Sequence, residues 1–215
     1  MNMIKVATVL FSMAFIGATF ASNADGGIWS KNAKDVGENT DSTLNIFSAR
    51  SPDGKKTITF TNNKLMLIVG GKTLADLTDS MYSPRLTEIS WSPDSLAFFV
   101  NASDGGVEGT WVSSAYLLVN NAVKKVSVGE KINLQSTLST DCKYKNLGSV
   151  AWLNGHRNLL LIEQVPDSSS CSHMGEATGY LYDVEHDSIA NTLSPDKIKS
   201  QYSEYLGSQA KSALQ

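Results

Sequence analysis

The sequence predicts an all-β protein built from repeated four-stranded units, and three observations support this. Short apolar runs alternate with turn residues from Leu44 onward. The tripeptide Ser-Pro-Asp occurs at residues 51–53 and again at residues 92–94, about 40 residues later. Each of these turns is followed within a few residues by strand-forming side chains. A repeat of roughly 40 residues with four strands is typical of propeller blades.

The first unit begins at Leu44 and consists of four strands joined by tight turns. The turn at residues 51–55 contains a proline, which presets φ, and an Asp-Gly pair, which accepts the positive φ that follows. Residues 57–60 read Thr-Ile-Thr-Phe, and this alternation predicts a strand with one buried face. Residues 65–69 are a continuous apolar run and predict a buried strand. The other predicted strands of this unit are residues 44–49 and 73–77.

The second and third units repeat this order. Continuous apolar runs at residues 96–100 and 159–162 predict one buried strand in each unit. The third unit is a weaker copy, and its inner hairpin is interrupted by a long loop that carries Cys171. The remaining predicted strands are residues 88–91, 115–119 and 124–128 in the second unit, and residues 148–152, 179–184 and 188–193 in the third.

The elements at residues 51–55 and 89–94 resemble the repeats of TolB-like and WD-type β-propellers, in which this segment joins the first two strands of a blade. Three units are fewer than the roughly four to eight blades of a closed propeller. Either residues 107–112 and 132–144 contain further strands, or the ring is open. The resemblance implies an incomplete β-propeller-like array of about three four-stranded blades, with a short C-terminal helix. It implies little about function, because propellers host many activities.

The chain divides into four predicted segments. Lys5, the uncharged stretch that follows it and small residues at the exit predict a signal peptide over residues 1–21. A membrane anchor fits less well, because a spanning helix needs ~20 apolar residues. Residues 22–43 are polar and predict a loose leader pinned by Trp29. The β domain covers residues 44–193, and residues 194–215 form a helix, with Ser194 as its N-cap, and a tail.

The signal peptide predicts a periplasmic protein, with secretion as the alternative. In an oxidising compartment, Cys142 and Cys171 are expected to form a disulfide worth roughly 3 to 4 kcal/mol. A reactive thiol or a metal site is the alternative, but neither cysteine lies in a C-x-x-C motif. The formal net charge is −3, and removal of Lys5 with the signal makes it more negative. This charge argues against nucleic acid and against an anionic membrane as the main partner.

The sequence contains no G-x-S-x-G nucleophile motif, no H-E-x-x-H metal motif, no phosphate-binding glycine-rich loop and no twelve-residue calcium loop. The three histidines fall in predicted loops, so we expect no metal and no cofactor, with a calcium ion on the loop at residues 102–109 as the alternative. That loop is polar and lies between two apolar strands, where binding function concentrates. An ordinary mobile hairpin tip is the competing interpretation. The candidate binding residues are Ser103, Asp104, Glu108 and Trp111, and a second candidate loop covers residues 168–173.

These features predict a non-catalytic, periplasmic protein-binding module. Short incomplete propellers are similar in outline to periplasmic immunity proteins, so the specific hypothesis is an inhibitor or immunity protein against a secreted peptidoglycan hydrolase. The alternative is a TolB-like accessory protein that binds envelope proteins. An enzyme with an unfamiliar site is a third hypothesis. An open array leaves exposed sheet edges, and a partner is one way to cover them.

Overall fold

The computed structural model describes residues 27–37, 39–41, 46–79, 82–103, 105, 110–139, 141–167 and 169–215. A short strand, β1 (Lys34–Asp35), precedes three antiparallel sheets, here called blades 1, 2 and 3. Blade 1 contains β2 (Phe47–Arg50), β3 (Lys56–Thr61), β4 (Lys64–Val69) and β5 (Lys72–Asp76). Blade 2 contains β6 (Thr87–Trp91), β7 (Ala97–Ser103), β8 (Trp111–Val119) and β9 (Ala122–Val126). Blade 3 contains β10 (Asn146–Leu153), β11 (Asn158–Gln164), β12 (Ala177–Asp183) and β13 (Ser188–Leu193).

The predicted fold class is confirmed, because each blade is a simple meander of four consecutive strands. Strand β1 pairs with β6 and gives blade 2 a fifth strand. Within the described ranges there is no fourth blade. Of the two segments considered for extra strands, residues 132–135 belong to helix α1 (Val128–Gln135), and residues 111–112 begin β8. The fold is therefore an incomplete, propeller-like array.

Blades 1 and 2 share one hydrogen-bonded turn between their first two strands. In blade 1 the Ser51 hydroxyl donates to the Asp53 carboxylate at 2.6 Å and accepts from the Lys56 backbone N–H at 3.0 Å. The matching contacts in blade 2 join Ser92 to Asp94 at 2.7 Å and to Ala97 at 2.9 Å. The aspartates thus cap their own turns, as the sequence indicates.

Neighbouring blades are tied together through their inner strands. The Trp91 indole N–H donates to the Ala49 carbonyl at 3.0 Å, and the Trp152 indole N–H donates to the Ser90 carbonyl at 3.2 Å. Each bond joins the end of one inner strand to the inner strand of the preceding blade. The two tryptophans occupy equivalent positions, so the same contact sets the spacing of blades 1 and 2 and of blades 2 and 3.

Blade 2 is buried on both faces, because it lies between the other two blades. Successive residues of β7 point to opposite sides, so Phe98 packs in the core shared with blade 1 and Phe99 in the core shared with blade 3. Blade 3 is also buried on both faces. Leu161 faces blade 2, while Leu160 and Ile162 face the C-terminal helices. The continuous apolar runs at residues 96–100 and 159–162 therefore lie in blades that are covered on both faces. The run at residues 65–69, which was also expected to be a buried strand, is buried on one face only, because blade 1 has no further blade outside it.

The outward faces of the two terminal blades differ, because one is covered by helices and the other is exposed. Blade 3 is covered by helices α2 (Pro195–Tyr202) and α3 (Ser208–Ala213), with Ile198, Ala210 and Leu214 buried against it. The Ser194 hydroxyl accepts from the Lys197 backbone N–H at 3.4 Å and caps α2, as predicted. Blade 1 presents a mixed outward face of partly exposed and exposed side chains: Ser48, Arg50, Thr57, Thr59, Met66 and Ile68. An outer face with several polar side chains is what a terminal repeat requires.

Residues 27–31, here called the strap, were expected to belong to a loose leader but are packed into the fold. Trp29 is fully buried, as the residue expected to pin this segment. The Trp29 carbonyl accepts from the Gly207 N–H at 2.9 Å, and the Ile28 carbonyl accepts from the Gln209 N–H at 2.8 Å. The strap thus joins blade 2 to the C-terminal helices. Residues 1–26, which include the predicted signal peptide, lie outside the described residues.

None of the helices in the described ranges combines the length and apolarity that a membrane crossing needs.

Candidate functional site

Strand direction divides the connections of the array between two ends, here called the turn face and the loop face. The Ser-Pro-Asp turns and the outer hairpins at residues 70–71 and 120–121 lie at the turn face. The middle hairpins of the three blades open at the loop face, together with the connections between blades. The middle loops comprise residues 62–63, 104–110 and 165–176, so the loop face carries the long loops.

Two of the four predicted site residues, Ser103 and Trp111, lie at the strand ends that flank the second of these loops. Ser103 ends β7 and is buried, and its hydroxyl accepts from the Gly105 N–H at 3.2 Å. Trp111 begins β8 and is also buried, with its ring at 6.4 Å from that of Trp29 in an edge-on arrangement. Ser103 and Trp111 are therefore buried residues at the strand ends that flank the loop, and neither is an exposed binding residue. Asp104 and Glu108 lie outside the described residues.

A buried polar network holds the base of this loop against blade 3. The Asn101 side chain grips the backbone of Ser149, accepting from its N–H at 2.8 Å and donating to its carbonyl at 2.7 Å. The Asn146 side chain accepts from the Trp111 backbone N–H at 3.0 Å. Because buried polar groups must be paired, these contacts set the register between β7, β8 and β10. The composition of the strands does not reveal them.

The network continues to Glu88, a fully buried carboxylate in β6. It accepts from the backbone N–H groups of Ile28, Trp29 and Ser30 at 2.5, 3.0 and 3.1 Å, and from the Asn101 amide at 2.7 Å. Burial raises the pKa of Glu88 to about 7, although these donors favour the ionised form. Glu88 is thus the residue that binds the strap, and sequence reasoning missed it.

The disulfide between Cys142 and Cys171 is confirmed and holds the third middle loop. It joins that loop to the connection between blades 2 and 3, with the two Cα atoms 5.1 Å apart. Asp141 adds to this link, because it accepts from the Ser172 N–H at 2.9 Å and from its hydroxyl at 2.7 Å. Hydrogen bonds from Ser139 and then Ser172 hold the pKa of Asp141 well below its usual range. A disulfide is compatible with an exported protein.

Glu163 anchors the same connection to blade 3. Its carboxylate accepts from the Ser136 hydroxyl at 2.7 Å and from the Tyr180 hydroxyl at 2.8 Å. Lys145 donates to Ser136 at 3.0 Å and lies 3.8 Å from Glu163. The connection before β10 is therefore fixed at both of its ends, so its exposed side chains are presented on a firm base.

Two large side chains are exposed beside the disulfide at the loop face. Tyr144 is 48% exposed and Met174 is 55% exposed. Aromatic residues and methionine are enriched in protein–protein interfaces relative to the rest of the surface. Each residue lies within three positions of a disulfide cysteine. This proximity in the sequence is the signal by which they could have been predicted as exposed binding residues.

A groove lies on the axis of the array, where the inner strands of the blades converge. It has a volume of about 270 Å³ and is lined by Trp91, Trp152, Lys34 and Arg50, among others. Pockets for drug-sized ligands occupy about 300 to 1,000 Å³. The axial groove is below that range, so we assign it no ligand.

Two histidines pair with carboxylates, His156 between blades 2 and 3 and His186 within its own turn. The His156 ring lies 2.7 Å from Asp94, and the His186 ring lies 2.8 Å from Asp183. The Asp183 carboxylate raises the pKa of His186. Within the part of the chain that the structure describes, no three His, Cys, Asp or Glu side chains are grouped as metal ligands would be.

No model of a known protein family matches the chain, and no curated protein matches it by sequence. Among solved structures, the chain is similar to the β-propeller domain of Cps50 (Swd1) from Myceliophteria thermophila, at 12% identity and a TM-score of 0.37. It is also similar to a eukaryotic initiation factor, at 14% identity and a TM-score of 0.26. These likenesses cover 70% and 68% of this chain but only 43% of each of the other chains. The fold assignment above therefore rests on the strands and blades of this chain.

Proposed function

We propose that the protein is a non-catalytic binding module whose loop face engages a partner protein. The observation that carries this proposal is the disulfide-tied loop at the loop face, with Tyr144 and Met174 exposed beside it. The loop is held by the disulfide, by Asp141 and by the anchored connection before β10. A surface that is ordered before binding loses less conformational entropy when the partner docks. The turn face, by contrast, carries short turns that satisfy their own hydrogen bonds.

We further propose that the module is exported and acts in the bacterial envelope as an inhibitor or immunity protein against a peptidoglycan hydrolase. Three features support this: the signal-like N-terminus, the disulfide and the lack of catalytic motifs in the sequence. An inhibitor needs a rigid projecting surface and no chemistry of its own, and the loop face meets that requirement.

A capture experiment tests the proposal. The mature, oxidised protein is used to retain partners from periplasmic extract and from the secretions of competing bacteria, which are identified by mass spectrometry. One cell-wall hydrolase retained at equal stoichiometry supports the inhibitor. Resident envelope proteins would instead favour a TolB-like accessory role.

The loop face is then tested with the captured partner. Changing both Tyr144→Ala and Met174→Ala should weaken binding about tenfold or more, because interface anchors of this kind contribute more than 1 kcal/mol each. Met66→Ala is the matched control. Met66 is a partly exposed methionine on the outward face of blade 1, away from the loop face. Equal affinities for the double variant and the control would contradict the assignment of the loop face.

A further inference from the structure

A second surface, at the opposite end of the array, lies between the outer hairpins of blades 1 and 2. This concavity, here called the rim groove, has a volume of about 570 Å³, within the range of ligand-binding pockets. Its floor is apolar and its edge carries two lysines. The lining includes Val69, Leu74, Leu96, Leu118, Lys56 and Lys72.

Leu96 breaks a pattern that the blades otherwise share. Hydrogen bonding makes it equivalent to Lys55 of blade 1 and Arg157 of blade 3, since each residue directly precedes the second strand of its blade. The other two blades place a cation at this exposed position, whereas blade 2 places a leucine that is 42% exposed. A single exposed leucine is ordinary. This one lies beside three further apolar residues in a groove, and turn formation does not require it.

The charge of the rim groove is opposite to that of the whole protein. The chain has a formal net charge of −3, yet the lining of the groove contains two lysines and no carboxylate. Lys56 pairs with Asp53 at 2.9 Å, whereas Lys72 makes no ion pair with any described residue. Lys55 lies beside Lys56 in the chain. The local field therefore favours a negatively charged occupant.

We propose that the rim groove docks an acidic, apolar segment of a partner protein. An apolar side chain of that segment packs among Leu74, Leu96 and Leu118, and a flanking carboxylate pairs with Lys72. The arrangement places charge-assisted hydrogen bonds around a desolvated apolar contact, as in other peptide-binding grooves. This surface is separate from the loop face, so the two proposals stand or fall independently.

The test uses the mature, oxidised protein and a fluorescein-labelled peptide of about ten residues that alternates leucine with glutamate and aspartate. A second peptide carries lysine in place of every acid. Fluorescence anisotropy should show binding of the acidic peptide only. Leu96→Gln, which removes the apolar contact without changing the charge of the groove, should weaken binding about tenfold or more. Lys72→Glu should weaken binding of the acidic peptide and strengthen binding of the lysine peptide.

Leu134→Gln is the matched control, because Leu134 is 82% exposed on α1, away from the groove. It should bind the acidic peptide as the unmodified protein does. Equal losses for Leu96→Gln and Leu134→Gln, or equal binding of both peptides, would overturn the proposal. A dimer in light scattering that Leu96→Gln dissociates would also overturn it, because a second copy would then be the occupant. Urea unfolding of each variant checks that the fold is intact.

Discussion

Replacing Gly148 with alanine should disrupt the packing of Trp29, the central residue of the strap, against β10. A Cβ atom at this position of β10 would lie 2.0, 2.3 and 2.4 Å from three ring atoms of Trp29. Real Cβ atoms do not approach other atoms so closely, and an indole ring cannot bend away as the end of a flexible side chain does. The strap backbone is bound on one side by Glu88 and on the other by residues 207–209, so the ring cannot move without breaking those bonds.

The magnitude follows from the two ways in which the chain can relax. A shift of β10 that keeps the ring inside costs about 1 to 3 kcal/mol, as overpacked cores do. Expulsion of the ring costs about 3 to 5 kcal/mol, as truncation of a buried tryptophan does. The chain relaxes by the less costly route, so we expect Gly148→Ala to lower the free energy of unfolding by about 1 to 3 kcal/mol. For a domain of this size the midpoint should fall by about 2 to 12 °C.

Urea and thermal unfolding, followed by tryptophan fluorescence, measure this change. Gly129→Ala is the control, because the nearest atom to its added Cβ is 4.0 Å away and alanine favours a helix over glycine. In a Trp29→Ala background, Gly148→Ala should cost much less, so a double-mutant cycle isolates the contact. A loss below about 0.5 kcal/mol in the native background, or the same loss in both backgrounds, would refute the reasoning.

Three further predictions concern other contacts. Glu88 has a folded pKa of about 7, above its ordinary value of 4.5, so the folded state holds its proton more tightly. Stability from this group is present below pH 4.5 and falls on the order of 3 kcal/mol as the pH rises to about 7. Glu88→Gln should remove this pH dependence from the free energy of unfolding, measured by urea at several pH values. The same dependence on pH in the variant would contradict the assignment. Ser92→Ala leaves a buried turn N–H unpaired and should cost about 1 to 3 kcal/mol in urea unfolding, whereas Ser48→Ala on the exposed face of blade 1 should cost almost nothing. Cys142→Ser with Cys171→Ser should cost about 2 to 5 kcal/mol, and a reductant should destabilise only the unmodified protein.

The blades themselves were predictable because their signals are local. The Ser-Pro-Asp turn encodes its own hydrogen bonds within six residues, so the repeat was visible in the sequence. Strand patterning also carried information about layers. The alternation at residues 57–60 fits blade 1, which is covered on one face, and the runs at residues 96–100 and 159–162 fit the blades covered on both. The apolar run at residues 65–69 is the exception, because it lies in blade 1 and is buried on one face only.

The surroundings of the candidate binding residues could be predicted only in part. The sequence favoured a loop at residues 102–109, but Ala102 and Ser103 belong to β7, and Ser103 and Trp111 are buried where β7 ends and β8 begins. A residue next to a loop is exposed or buried according to what packs over it. For Trp111 that partner is Trp29, which is distant in sequence.

Glu88 illustrates what local pattern cannot supply. In the sequence it is one polar residue in a strand, with nothing to distinguish it from a solvent-facing glutamate. The structure surrounds it with three N–H groups of the strap, from residues about 60 positions away, and with the amide of Asn101. Turns, caps and strand periodicity depend on near neighbours in the chain and can be inferred from sequence. The burial of a charge depends on segments that meet only after the blades have packed, so only the tertiary structure decides it.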